Sequence, residues 1–148
     1  SPAIMQYVIH RIDLTNIRTA MRLKSEVADL SVFVKGGTLN LRKLSGDLNG
    51  IAKAIELSEL PFSLGEAVRK SADDLSDLEV ALSKVTANDI AHMWNIPMSI
   101  EPVFAFAALA ESQVALLRAL VIGKRAALDP QSIKKMLPPF ISASHYVL

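Results

Sequence analysis

Apolar residues recur along this chain with the period of a helix face, and the breaks between them fall at Pro, Gly and capping residues. From Ile4 to about Leu30 the positions Met5, Val8, Ile12, Ile17, Met21 and Ala28 follow one face, with neither Pro nor Gly after Pro2, which predicts one long amphipathic helix. The next stretch, "LSVFVK", fits either a helix end or an extended run, and Gly36 and Gly37 stop it because two glycines let the backbone reach positive dihedral angles. Thr38 then reads as the N-cap of a short helix, and Asp47 as the N-cap of another through Leu57. Ser63 with Glu66 three residues later has the spacing of a capping box, for a helix running to about Ser71.

The second half carries two longer patterns. "DDLSDLEVALSKVTANDIAHMWN" sets Leu75, Leu78, Val80, Leu82, Val85, Ile90 and Met93 largely along one side, with acids crowded into the first turns, where the helix dipole favours them. Pro97 ends this helix, Ser99 caps the next, and Pro102 is tolerated in its first turn. From Ile100 to about Ala127 the chain is apolar around most of its circumference, which predicts a central, buried helix. Asp129 with Pro130 opens a last short helix that ends before Pro138 and Pro139, and the tail "FISASHYVL" is too short to assign. No segment alternates as a strand does. The expected fold class is all-α, long helices packed with short ones in a single domain spanning residues 1 to 148.

Composition agrees and narrows the chemistry. Apolar residues make up 51% of the chain and aromatic ones only 5%, so the core must be built of Leu, Ala, Ile and Val. The absence of cysteine excludes disulfides, thiolate metal sites and cysteine nucleophiles. Net charge is only +1, but residues 1 to 55 hold eight basic and four acidic groups, 56 to 111 three and ten, and 112 to 148 five and one. Such blocks point to charge matching between helix faces or to a partner-binding surface, and without a basic run they give nucleic-acid binding little support. The apolar stretch from Pro102 to Gly123 is interrupted by Glu111 and Arg118, and its longest uncharged run, Pro102 to Ala110, falls well short of the roughly 20 residues of a membrane span. The opening "SPAIMQYVIHR" has no basic lead or cleavage pattern of a signal peptide, and starts as though excised from something longer.

Little in the chain is suited to catalysis. His10, His92 and His145 share no metal-ligand spacing, and there is no Gly-rich phosphate loop, G-x-S-x-G or H-E-x-x-H. His92 on its predicted helix admits a histidine phosphotransfer reading or a structural one. Asp73, Asp74, Asp77 and Glu79 read as dipole-directed acids, without the oxygen-ligand loop of a calcium site. An amphipathic module lying on a membrane surface is a third reading. Glu111, Arg118 and Arg125, seven apart, form one stripe on the last long helix, bridging to neighbouring helices or facing another subunit.

A displacement of 100 residues aligns Arg18 with Arg118, Ala20 with Leu120 and Lys24 with Lys124, as two copies of one helical unit would. The motifs "IDLTNIRTAMRLK", "GGTL" and "EPVFAFAALAESQVALLRALVIGK" taken together resemble the C subunit of bacterial and archaeal V-type (A-type) ATPases, whose eukaryotic counterpart is the d subunit. The resemblance runs from Ile12 to about Leu137. It places Asp13, Asn16, Ile17, Arg18 and Arg22 in a first motif, Gly36, Gly37 and Leu39 in a second, and Glu101, Pro102, Glu111, Arg118, Gly123 and Lys124 in a third. Phe106 stands where that family carries tyrosine, and Gln113 where an acid is common. The resemblance implies a C-terminal portion of a longer chain of three related helical units, here one full unit and part of a repeat. It further implies a non-catalytic rotor part without cofactor, metal or small-molecule substrate. Its partners would be the central stalk and the membrane rotor ring, on the cytoplasmic side of the membrane. On that reading Arg18 and Arg118 are each expected in a buried or partly buried helix–helix ion pair or cap.

Overall fold

The computed structural model describes residues 1–23, 30–44, 47–71, 75–131 and 133. All regular structure among them is helical: α1 (Pro2–Leu23), α2 (Leu41–Leu44), α3 (Leu48–Glu56), α4 (Phe62–Lys70), α5 (Leu75–Trp94) and α6 (Glu101–Arg125), with a 3-10 turn at Leu30–Val32. Whether the first helix continues past Leu23, and where Lys24 sits, lies outside the described residues, as do Asp73, Asp74, His145 and the tail.

Helices α1 and α5 form the antiparallel spine. His10 meets Asp89 and Arg18 meets Glu79, so residue numbers rise on one helix as they fall on the other. Helix α6 runs parallel to α1, for Ser1 bonds to Glu101 and Arg11 to Glu111, both at a separation of 100 residues. Two apolar clusters share the spine. The larger joins Leu14, Ile17 and Met21 of α1 to Leu44, Ile55, Leu64 and Val68 of α2 to α4 and to Leu78, Leu82 and Val85 of α5. The smaller joins Ala3 and Tyr7 to Ile90, Met93, Ala105 and Ala108. In the latter the Tyr7 ring meets Phe104 edge-on at 5.5 Å, a favourable aromatic geometry.

Several local expectations shift. The buried stripe of α1 runs through Ala3, Tyr7, His10, Leu14, Ile17 and Met21, while Met5 and Val8 are exposed. Tyr7 and His10 belong to it because each buries its ring and finds a partner for its polar tip. Asp47 does cap α3, accepting from the Gly50 N–H at 2.8 Å. Thr38 does not cap α2, because its hydroxyl is bonded to Asp13; Asn40 accepts from the Arg42 N–H instead. The capping box fails as well: α4 starts at Phe62 after Pro61, which sets Ser63 inside the first turn. Ser99 donates to the Ile96 carbonyl, and α6 begins behind Ile100 without a side-chain cap. Beyond α6, Asp129 accepts from the Gln131 N–H and the chain re-enters helical geometry at Pro130.

The largest correction concerns α6 itself. It is apolar as expected, but only 11% of its most apolar window is buried, so it lies against the body on one side and is not a central helix. Glu101, Ala105, Ala108 and Gly123 face inward, and the opposite side is open. It is the one helix among the described residues long and apolar enough to cross a membrane, judged by length and composition.

Candidate functional site

Two buried polar residues of α1 hold the glycine turn. Asp13 is fully buried, and its carboxylate accepts the Thr38 N–H at 2.9 Å, the Thr38 hydroxyl at 2.7 Å and the Leu39 N–H at 3.2 Å. One turn on, Asn16 donates to the Val34 carbonyl and accepts from the Val34 N–H, both at 2.8 Å. A carboxylate without a counter-ion tolerates burial when backbone and hydroxyl donors converge on it, as three do here. The turn can come this close only with glycine: a Cβ on Gly37 would lie 1.9 Å from Asp13 Oδ1, and Gly36 has φ +108°, a region that favours glycine. Asp13, Asn16, Gly36 and Gly37, read from the sequence as two motifs, are one latch joining α1 to the segment that leads into α2. Its buried side-chain polar atoms all find partners.

The remaining candidates lie along the spine and α6. Arg18 is partly buried, its Nε on both carboxylate oxygens of Glu79 at 3.0 and 3.2 Å, tying α1 to α5. Arg22 is exposed at the end of α1. Glu101 is buried at the start of α6, where the Ser1 hydroxyl first, and then the neighbouring Ser99 side chain and its own N–H, hold its carboxyl down to about 2. Glu111 accepts from Arg11 at 3.0 Å, and Arg11 also donates to the Tyr7 hydroxyl at 3.1 Å; these two bonds raise the Arg11 guanidinium above its ordinary range.

Arg118 does not fulfil the expectation of a buried pair. It is exposed and forms no ion pair among the described residues, because Arg18 already holds Glu79 at the corresponding level of the spine and the second half of α6 stands off the body. Lys124 is likewise exposed. Between α1, α5 and α6 this divergence opens a polar cleft of about 190 Å³ walled by Arg11, Arg18, Thr86, Glu111 and Ser112.

One buried pair left no signal in the sequence pattern. His10 is 5% exposed, and its Nδ1 lies 2.8 Å from Asp89, whose carboxyl burial raises despite the imidazole bond; Nε2 has no partner among the described residues. The pair sits where the two apolar clusters meet. The Arg11–Glu111 pair did leave one, since the displacement that aligns Arg18 with Arg118 also sets Arg11 against an opposite charge. His92, two positions beyond Ile90 on α5, is exposed, as a phosphotransfer histidine must be. No His, Asp and Glu cluster among the described residues could hold a metal ion.

Among the described residues this arrangement is a set of braces between helices. A family model described as ATP synthase (C/AC39) subunit matches residues 1–136. The chain belongs to that family. Among curated family relatives it is 30% identical to the A-type ATP synthase C subunit of Haloferax volcanii, over 89% of this chain and 41% of that protein. The C subunits of the A-type ATP synthases of Haloquadratum walsbyi and Halorubrum lacusprofundi are 27% and 29% identical, over 88% and 85% of this chain and 40% and 39% of theirs. The chain thus spans about two fifths of the length of these relatives. No solved structure matches it. Membership in the family leaves the phosphotransfer reading of His92 with nothing but an exposed imidazole in its favour.

Proposed function

We propose that this chain is the C-terminal part of a non-catalytic connector in a rotary V-type or A-type ATPase. In this reading it stands on the cytoplasmic side between the central stalk and the membrane rotor ring, and serves the coupling of ATP turnover to ion transport. The observation that carries the reading is the family match over residues 1–136. The physical requirement of such a part is stiffness, because torque applied to a body that yields is dissipated as deformation. The latch at Asp13 and Asn16 fixes the glycine turn on α1, and the Arg18–Glu79 and Arg11–Glu111 pairs with the two apolar clusters brace α1, α5 and α6 at successive levels, which supports the reading. Arg22, Arg118 and Lys124, which lack an intramolecular ion pair among the described residues, are the cations available to a partner.

Affinity purification of the polypeptide carrying this sequence from its native membranes tests the proposal. Stalk and ring subunits of a rotary ATPase should co-purify with it in fixed ratio. Recovery without them, under conditions in which the rotary complex itself survives, contradicts the assignment.

A further inference from the structure

Between the two apolar clusters the spine is crossed by one polar pair. His10 and Asp89 meet at 2.8 Å, with side chains only 6% and 13% exposed. About one helical turn to one side lie Tyr7 and Met93 of the smaller cluster, and about one turn to the other lie Leu14 and Val85 of the larger. The charged groups around the pair are engaged elsewhere or face water. On α1, Arg11 is held by Tyr7 and Glu111, and Asp13 by Thr38 and Leu39. On α6, Glu101 is bonded to Ser1 and Glu111 to Arg11. On α5, Glu79 holds Arg18, Lys84 is exposed, and His92, also exposed, is the weakest of the influences on the Asp89 carboxyl. Helices α2 to α4 pack on the spine through the larger cluster, and their charged side chains are exposed or, for Glu56 and Arg69, paired with each other. The glycine turn meets α1 at Asp13 and Asn16, and its Lys35 is exposed.

The pair therefore has to balance its charge within itself. Imidazolium with carboxylate, or imidazole with carboxylic acid, leaves it uncharged overall. Removing one proton leaves a carboxylate in the spine with no cation on it, and an uncompensated buried charge is costly. Burial accordingly raises the Asp89 carboxyl. Because His10 Nε2 has no partner among the described residues, no second bond fixes the imidazole in one protonation state. We propose that His10 and Asp89 are a proton-linked clasp, which holds the start of α1 against α5 while the pair is uncharged and loosens the smaller apolar cluster when the pair gives up a proton. The folded chain then binds this proton more firmly than the unfolded chain does, so the clasp's contribution to stability is lost as pH rises through the titration of the pair. The clasp lies inside the spine and is independent of the rotary assignment.

Histidine and methionine NMR on the polypeptide carrying this sequence, titrated from about pH 5 to 9, tests it across the range in which imidazole commonly changes charge. Each cluster supplies its own methyl probe, Met93 in the smaller and Met21 in the larger. The Met93 methyl should shift with the same midpoint as the His10 ring, while Met21 stays in place. Asp89→Asn keeps an acceptor for the imidazole N–H but carries no charge, and should abolish the Met93 step. His92→Gln should leave that step intact. In urea titrations, the wild-type folding constant should fall about tenfold relative to that of Asp89→Asn as pH rises across the range, the factor carried by one unit in a proton equilibrium. The coincidence of the wild-type midpoints needs no variant of the pair, so it decides the matter even if Asp89→Asn does not fold. A His10 ring that does not titrate, a Met93 methyl that stays put while it does, or a Met93 step that disappears in His92→Gln overturns the proposal. So does a ratio of folding constants that is the same at every pH.

Discussion

Asp13 and Gly37 make one device, and neither residue works without the other. Replacing Gly37 by alanine drives a methyl into the Asp13 carboxylate. Gly37→Ala should therefore destabilise the chain by about 3 kcal/mol, by displacing a buried carboxylate from its donors. Asp13→Ala leaves the Leu39 N–H and the Thr38 donors without their acceptor, at about 3 kcal/mol or more. Urea titration of both variants measures these losses, and the double variant should cost less than the sum because both break the same latch. The sequence displayed the parts of this device as separate motifs. Their union was hidden because a helix residue and a turn 25 positions away share no local pattern, and an apolar periodicity passes over a buried aspartate. The ion pairs are smaller matters. With the Arg18 side chain a third exposed and that of Glu79 half exposed, Arg18→Ala should cost no more than about 1 kcal/mol, well below a fully buried pair. Arg118→Ala should stay within about 0.5 kcal/mol, as at other exposed positions. Glu101 has its carboxyl depressed in the folded state, so its contribution to stability is present above the ordinary carboxylate range and is lost as pH falls toward about 2. Acid unfolding curves of wild type and Glu101→Gln should accordingly diverge above pH 4.5 and converge below about 2.

At the level of elements, helix existence was legible and helix surroundings were not. The long patterns gave α1, α5 and α6 because periodicity and Pro or Gly punctuation are local. Caps were read less well: Asp47 and Asp129 do cap, but Thr38 is claimed by Asp13, and Ser63 and Ser99 miss the cap position by a residue or more. The exposure of α6 has no counterpart in its apolar pattern. An apolar circumference states that a helix can be covered on every side, and only the neighbouring chain decides which sides are. The end of α6 carries a testable defect. The Ala127 N–H bonds to the Lys124 carbonyl at 3.2 Å and the Leu128 N–H to the Gly123 carbonyl at 3.0 Å, a Schellman closure with alanine at φ 51° where glycine is the usual residue. Ala127→Gly should raise stability by about 1 kcal/mol, read as a higher melting temperature, because it relieves the left-handed strain of an L residue.

On the scale of the whole molecule, the family and the all-helical fold were both legible, since the three motifs stand in order along most of the chain. The 100-residue echo was legible too, but the structure gives it a different local meaning at each level. At residues 11 and 111 it joins opposite charges, and at 18 and 118 it leaves one cation paired and the other exposed. A braced spine beside a helix with one open face suits a part that transmits force between larger bodies. The most direct test is to delete the polypeptide carrying this sequence and compare ATP hydrolysis with ATP-driven ion uptake in the same membrane vesicles. For a connector, hydrolysis should persist while ion uptake collapses, with both restored together on adding the polypeptide back. Ion uptake that stays in proportion to hydrolysis after the deletion would contradict that role.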